Sequence, residues 1–229
     1  MVDTEQINNN VLYKYYADNT YNRCALDNNY IWASHPLNFN DPYDCALHFE
    51  LTNLKTELPQ NTIDALNKYI NEKAIICFSE VYNSILMWSH YADSHKGFCI
   101  AYKKDYFQQY HAKKSGNRLK NINYTHSINI DAKGMLEDKL WCEVEKLLTT
   151  KYADWSYERE WRFLLEYTEE RDKTIGGRKF KLEEGLENII DEIILGVKCP
   201  EKTEYWLKTI FPNTKFKKLK MKSDSFELY

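Results

Sequence analysis

With 229 residues, 43 % hydrophobic and 15 % aromatic, the chain can build one substantial core, which excludes global disorder and suits a single domain over 1–229. Its 31 basic and 34 acidic residues leave a formal net charge of −3, which argues against a protein that grips a nucleic-acid backbone over its whole surface. No apolar run approaches about 18 residues and no charged-then-apolar leader opens the sequence, so the expectation is a soluble cytoplasmic protein with no membrane partner.

In chain order, residues 1–10 are polar and expected to be loose. Residues 11–16 and 30–34 read as strands, with a helical turn at 22–28 between them. The loop 37–44 contains Asn40-Asp41-Pro42, residue types that favour turns through side-chain bonds or a fixed φ. A structural turn with a capping Asp41 is one reading of it, and a substrate contact is the other. Residues 61–73 form an amphipathic helix with Ile63, Leu66, Tyr69 and Ile70 on its inner stripe, followed by an almost wholly apolar strand at 74–79. A second helix at 84–95 puts Trp88, Tyr91 and His95 on one face, and Gly97 is placed to stop it.

Strand 98–102, a helix at 106–111, a Lys/Ser/Gly loop and strand 120–124 come next, then a longer helix at 134–151 feeding a strand at 155–165. Gly176-Gly177 predicts a hairpin turn between that strand and one at 178–182. A helical turn at 183–189, a strand at 191–196, a helix at 200–210 and a strand at 216–221 close the chain. Without a regular βαβ repeat the fold class is α+β, one domain with a mixed or antiparallel central sheet flanked by helices. Lys215, Lys217, Lys218, Lys220 and Lys222 read as a solvated edge strand, a basic patch being the alternative.

The six cysteines at 24, 45, 77, 99, 142 and 199 form no CxxC and no zinc-finger spacing, so no structural metal is predicted. Cys77 and Cys99 lie in apolar strands and are expected as buried free thiols. Phosphate-loop, nucleophile-elbow and HExxH motifs are absent.

What carries chemistry is the stretch 155–165. Its alternation places Trp161, Phe163 and Leu165 on one face and Glu158, Glu160, Arg162 and Glu166 on the other. Such a row is either a salt ladder on a wet sheet face or the acid pair of an active site. Trp88 and Tyr91 admit plain core packing, and His90 and His95 admit plain hydrogen bonding, beside any role in binding or catalysis.

The ordered set Leu12-Tyr13-Lys14-Tyr15, Ile31-Trp32-Ala33-Ser34, Asn40-Asp41-Pro42, Cys77-Phe78-Ser79, Met87-Trp88-Ser89-His90-Tyr91, His95-Lys96-Gly97 and Tyr157-Glu158-Arg159-Glu160-Trp161-Arg162 resembles the bacterial and phage-borne domain-of-unknown-function 2971 family. That resemblance implies a setting in antiviral defence or toxin systems, with a partner protein from a defence or antitoxin operon. A second resemblance is to ADP-ribosyltransferases of the arginine–serine–glutamate type, and it implies that fold and NAD as substrate. There Glu160 matches the invariant glutamate, Glu158 the acceptor-side glutamate and Ser79 the middle serine. The first strand offers Lys14 where that family carries arginine.

These likenesses put Glu158, Glu160, His90 and Ser79 on the side of catalysis. They put Tyr13, Lys14, Asn40, Asp41, Trp88, Tyr91, His95 and Arg162 on the side of substrate or cofactor binding, Arg162 holding a phosphate and Tyr13 or Tyr91 stacking the nicotinamide. The expected partners are a small nucleotide and an acceptor, protein or nucleic acid. Two other functions fit the sequence: a non-catalytic sensor or binding module, and a metal-dependent nuclease or hydrolase using Asp41, His90, Glu158 and Glu160.

Overall fold

The computed structural model describes residues 10–45, 59–113, 118–127, 140–166, 176–182 and 185–229. Several expectations fall outside the described residues: the loose segment at 1–9, the loop residues 114–117, the helix start at 134–139, the inner-stripe side chain of Leu66 and positions 183–184.

The fold is α+β, and the described residues form a mixed nine-stranded sheet flanked by helices. Its strands are β1 (Val11–Tyr16), β2 (Tyr30–Ser34), β3 (Lys73–Ser79), β4 (Phe98–Lys103), β5 (Arg118–Asn121), β8 (Glu160–Glu166), β9 (Gly177–Lys181), β10 (Ile190–Leu195) and β11 (Lys215–Lys218). β6 (Asn123–Thr125) and β7 (Thr150–Tyr152) pair in parallel as a separate two-stranded piece. The helices are α1 (Thr20–Asp27), α2 (Gln60–Asn71), α3 (Ile85–Tyr91), α4 (Lys104–Lys113), α5 (Leu140–Leu148) and α6 (Glu201–Ile210). Among the described residues no helix is long and apolar enough to cross a membrane.

The main path runs β11-β10-β4-β1-β3-β2-β9, and it forks at β3. One edge of β3 is zipped to β8 over its full length, Lys73↔Glu166 to Ser79↔Glu160. The other edge meets β1 only at Tyr13↔Ser79 and β2 only at Ser34↔Ile75. Cys77, midway between those two contacts, therefore stands where β1 and β2 diverge.

Each central strand buries both faces. Leu12, Ile76, Phe78, Ile100, Phe163 and Ile193 share the first face with Phe107 of α4 and Leu207 of α6. The second face has two separate apolar groups. Ile63 and Ile70 of α2 with Val144, Leu147 and Leu148 of α5 cover Ile75 and Leu164. Met87 and Trp88 of α3 cover Val11, Tyr13, Tyr15 and Cys99. A seam is left between the two groups, directly over the fork.

The predicted strand 155–165 is shorter than its alternation suggests. Residues Ala153–Glu158 form a 3-10 turn, Arg159 takes a left-handed φ of 46°, and extended chain begins only at Glu160. The predicted helix 84–95 ends at Tyr91, because Asp93, Ser94 and His95 have φ of 46°, 53° and 70°, which no right-handed helix accommodates. Gly97 matters for a different reason than stopping a helix: a Cβ there would lie 2.0 Å from the Tyr16 carbonyl oxygen. No β8–β9 hairpin forms among the described residues; β9 pairs with β2, Ser34↔Gly177 to Tyr30↔Lys181. The predicted strand 120–124 divides between β5 and β6, which belong to different sheets, and α5 stops at Leu148 rather than 151. β11 is the edge strand that its lysines suggested.

Candidate functional site

The seam holds a cavity of about 120 Å³. Tyr13, Tyr15, Phe39 and Met87 give it apolar walls, while Lys14, Lys151, Glu158 and Glu160 give it charge.

Two local devices bring both glutamates inward. The 3-10 turn closes with the Arg159 amide donating to the Ser156 carbonyl at 3.2 Å. On the outside Glu80 accepts from the Arg159 guanidinium at 3.1 Å and from the Trp161 indole N–H at 2.7 Å, anchoring the turn next to β8. The β6–β7 piece then sets Tyr124 opposite Lys151. From there the Glu160 amide donates to the Tyr124 hydroxyl at 2.8 Å, and Lys151 reaches both acids.

The result is a buried charge network. Lys151 Nζ donates to Glu158 Oε2 at 2.5 Å and to Glu160 Oε2 at 3.2 Å, and lies 3.3 Å from Asp44 Oδ2. Arg162 Nε donates to Glu160 Oε1 at 2.8 Å, and its Nη2 to both Asp44 oxygens at 2.7 Å. Arg162 also donates to the Leu148 carbonyl at 2.8 Å. The Tyr91 hydroxyl donates to Glu158 Oε1 at 2.6 Å. Exposure is 0 % for Arg162, 3 % for Glu158, 5 % for Glu160 and 6 % for Lys151, so this is no ladder on a wet face. Charges this deep persist because each has partners.

Their surroundings push the two glutamates apart. Burial by itself would raise Glu160, but Arg162 and Lys151 outweigh it and hold the carboxyl at about 2. Burial raises Glu158; Lys151 pulls it down, Glu160 pushes it up, and the net shift is upward. Lys151 is disfavoured by burial yet held well above its ordinary range by Glu160, Asp44 and Glu158. The Tyr91 phenol is raised by burial first and then by Glu158. Lys14 goes the other way, lowered by burial, with Cys77 and Glu160 offsetting part of it.

Of the residues singled out from sequence, Tyr13, Lys14, Asn40, Ser79, Tyr91, Glu158 and Glu160 line the cavity. Ser79 is committed to architecture: its hydroxyl donates to the Glu158 carbonyl at 2.6 Å and accepts from the Val81 amide at 3.1 Å. Arg162 has no arm left for a phosphate. Trp88 is wholly buried with its indole N–H on the Tyr82 carbonyl at 2.6 Å. Asp41 caps its own turn, accepting from the Tyr43 amide at 2.9 Å.

His90 is exposed, its ring centroid 6.3 Å from that of Tyr157, and is not a lining residue. His95 lies beyond the end of α3, its ring stacked at 15° to Trp88 and its Nε2 3.1 Å from the Ser89 hydroxyl. Among the described residues no three His, Cys, Asp or Glu side chains are grouped to hold a metal ion. Asp41, His90, Glu158 and Glu160 are therefore not one cluster. Cys99 is buried as expected, but Cys77 is only half-buried and faces the cavity.

Sequence reasoning missed Asp44, Lys151 and Tyr124. Asp44 stands in the very loop singled out for Asn40-Asp41-Pro42, two residues past Pro42. Lys151 carries no local signal, a lone lysine at the end of a predicted helix.

Fold and site together define an α+β protein organised round a buried, charge-compensated pocket at a sheet fork. Residues 87–163, from within α3 to the middle of β8, match the family model described as protein of unknown function (DUF2971), which supports that resemblance over this stretch. No curated protein and no solved structure matches the chain.

Proposed function

We propose that the chain is an NAD-using enzyme, an ADP-ribosyltransferase-like transferase or NAD glycohydrolase, acting in a bacterial defence or toxin system. The observation that carries this reading is that Glu158 and Glu160 line one cavity with opposite pKa shifts, a pattern that divides proton transfer from charge stabilisation. The defence setting rests on the family resemblance alone.

Cleavage of the nicotinamide–ribose bond sends its electron pair onto the leaving ring nitrogen and leaves an oxocarbenium-like ribose carbon. Glu160, ionised throughout the working range, stabilises that charge more in the transition state than in the ground state. Glu158, the more basic carboxylate, takes the proton of the water or acceptor hydroxyl that attacks the same carbon. Lys151 keeps the two carboxylates together and Arg162 keeps Glu160 oriented.

Purified protein incubated with NAD, with and without protein and nucleic-acid acceptors, should release nicotinamide. Glu160→Gln should lower turnover by on the order of 100-fold or more, and Glu158→Gln should lower it and flatten its pH profile. Absence of both nicotinamide release and ADP-ribose transfer in the wild type removes this reading.

One observation favours a second reading, a pocket that senses a ligand without chemistry. Every carboxylate oxygen of Asp44, Glu158 and Glu160 already has a hydrogen-bond or ion-pair partner within the protein. Under it, both Glu→Gln variants keep their cellular activity.

A further inference from the structure

The charged groups of the site are matched by carboxylates with one exception. Lys14 leaves β1 at the fork and lines the cavity, and among the described residues its hydrogen bond is a long one, 3.5 Å to the Cys77 carbonyl. Lys151 and Arg162, by contrast, each hold at least two carboxylates. That ammonium is half-buried and 5.6 Å from the centre of the Tyr16 ring, and with a single long hydrogen bond it has room for an oxygen from elsewhere.

Charge counting narrows what that oxygen belongs to. Asp44, Glu158 and Glu160 are balanced by Lys14, Lys151 and Arg162, so the ionised site is neutral and has no surplus to draw in phosphate or carboxylate. An anion on Lys14 would also sit near Glu160, whose charge acts on that lysine. The nearby walls of Tyr13, Tyr15 and Phe39 are aromatic, which suits a flat ring.

We propose that Lys14 is the recognition group for a carbonyl or carboxamide oxygen on a planar ring that carries no anionic group, seated in the fork cavity. This deepens the NAD reading and rests on it for the choice of ring: the carboxamide-bearing nicotinamide end enters the cavity, and Lys14, not Arg162, reads it. The diphosphate then stays outside.

The test is equilibrium binding, by calorimetry or ligand-observed NMR, of nicotinamide, 3-methylpyridine (the same ring without a carbonyl) and nicotinate to wild type, Lys14→Met and Lys14→Gln. Nicotinamide should bind the Met variant about tenfold more weakly or worse, the loss of one charge-assisted hydrogen bond. Gln, which keeps a donor, should recover part of that. Thermal midpoints should show Lys14→Met about as stable as wild type, because the charge removed is half-buried and held by one long hydrogen bond.

Three results overturn the proposal: nicotinamide failing to bind the wild type, the Met variant binding it as the wild type does, or nicotinate or 3-methylpyridine binding as well as nicotinamide. NAD turnover measured on the same samples separates the two readings. Turnover without Lys14-dependent binding overturns this inference alone. Lys14-dependent binding without turnover supports it and removes the enzyme.

Discussion

Arg162 has no exposure and lies between Glu160, Asp44 and the Leu148 carbonyl, so the ionisation of Glu160 is tied to folding itself. Its carboxyl sits at about 2 in the folded chain against an ordinary 4.5. The folded state therefore binds fewer protons than the unfolded one, and this contribution is complete above about pH 4.5 and lost as pH falls toward 2. Glu158 has the opposite sign: its pKa is raised, so its contribution is present in acid and fades as pH rises through the folded value. Urea midpoints measured across pH should show Glu160→Gln with a flatter acid limb than wild type, at a lower stability near neutrality because Arg162 loses its main partner. Glu158→Gln should leave the acid limb and flatten the decline above it. An unchanged acid limb in Glu160→Gln would mean that Arg162 and Lys151 do not hold that carboxyl down.

At the scale of elements, the junction between the 3-10 turn and β8 depends on one residue with an unusual backbone. Arg159 at φ 46° is neither glycine nor asparagine, and its conformation lets Glu158 and Glu160 face the same cavity although only one of them belongs to the strand. Arg159→Gly should be close to neutral, since glycine accepts φ > 0 freely and the lost Glu80 bond is exposed. Arg159→Val should cost about 1–2 kcal/mol and weaken ligand binding with it, because a β-branched residue resists that region. Equal stability of the two variants in chemical denaturation would show that the left-handed turn is not what holds the acids.

This junction also marks where sequence reading stops. Alternation in Glu158-Arg159-Glu160-Trp161-Arg162 correctly put Glu160 and Arg162 on one face, because period two is local. It could not register a single residue leaving extended geometry, nor that Asp44, 118 positions from Arg162, would complete the clamp. The apolar runs of β1, β3, β4 and β10 were legible for the same local reason. The partner of β9 was not, since pairing with β2 is decided by which edge the rest of the sheet leaves open.

Across the whole molecule, the walls of the cavity depend on how closely the central strands approach at their far ends. Gly97 precedes β4 and Gly196 follows β10. A Cβ on Gly97 would lie 2.0 Å from the Tyr16 carbonyl oxygen at the end of β1. One on Gly196 would lie 2.2 Å from the His95 carbonyl oxygen and 2.9 Å from that of Gly97. The obstructing atoms are backbone, so neither clash is relieved by a side-chain rotation. Gly97→Ala and Gly196→Ala should each cost on the order of 1–3 kcal/mol through forced backbone displacement. Because the Gly196 amide donates to the Gly97 carbonyl at 3.0 Å, the two sites share one contact, and the first displacement should ease the second. The double variant should therefore lose less stability than the two losses summed, by at least about 0.5 kcal/mol in urea denaturation. Gly97→Ala should also weaken ligand binding more than Gly196→Ala, since Tyr16 ends the strand whose Tyr13, Lys14 and Tyr15 line the cavity. Strict additivity with equal binding in both variants would mean that the strand ends move independently, and that the fork keeps its shape without them.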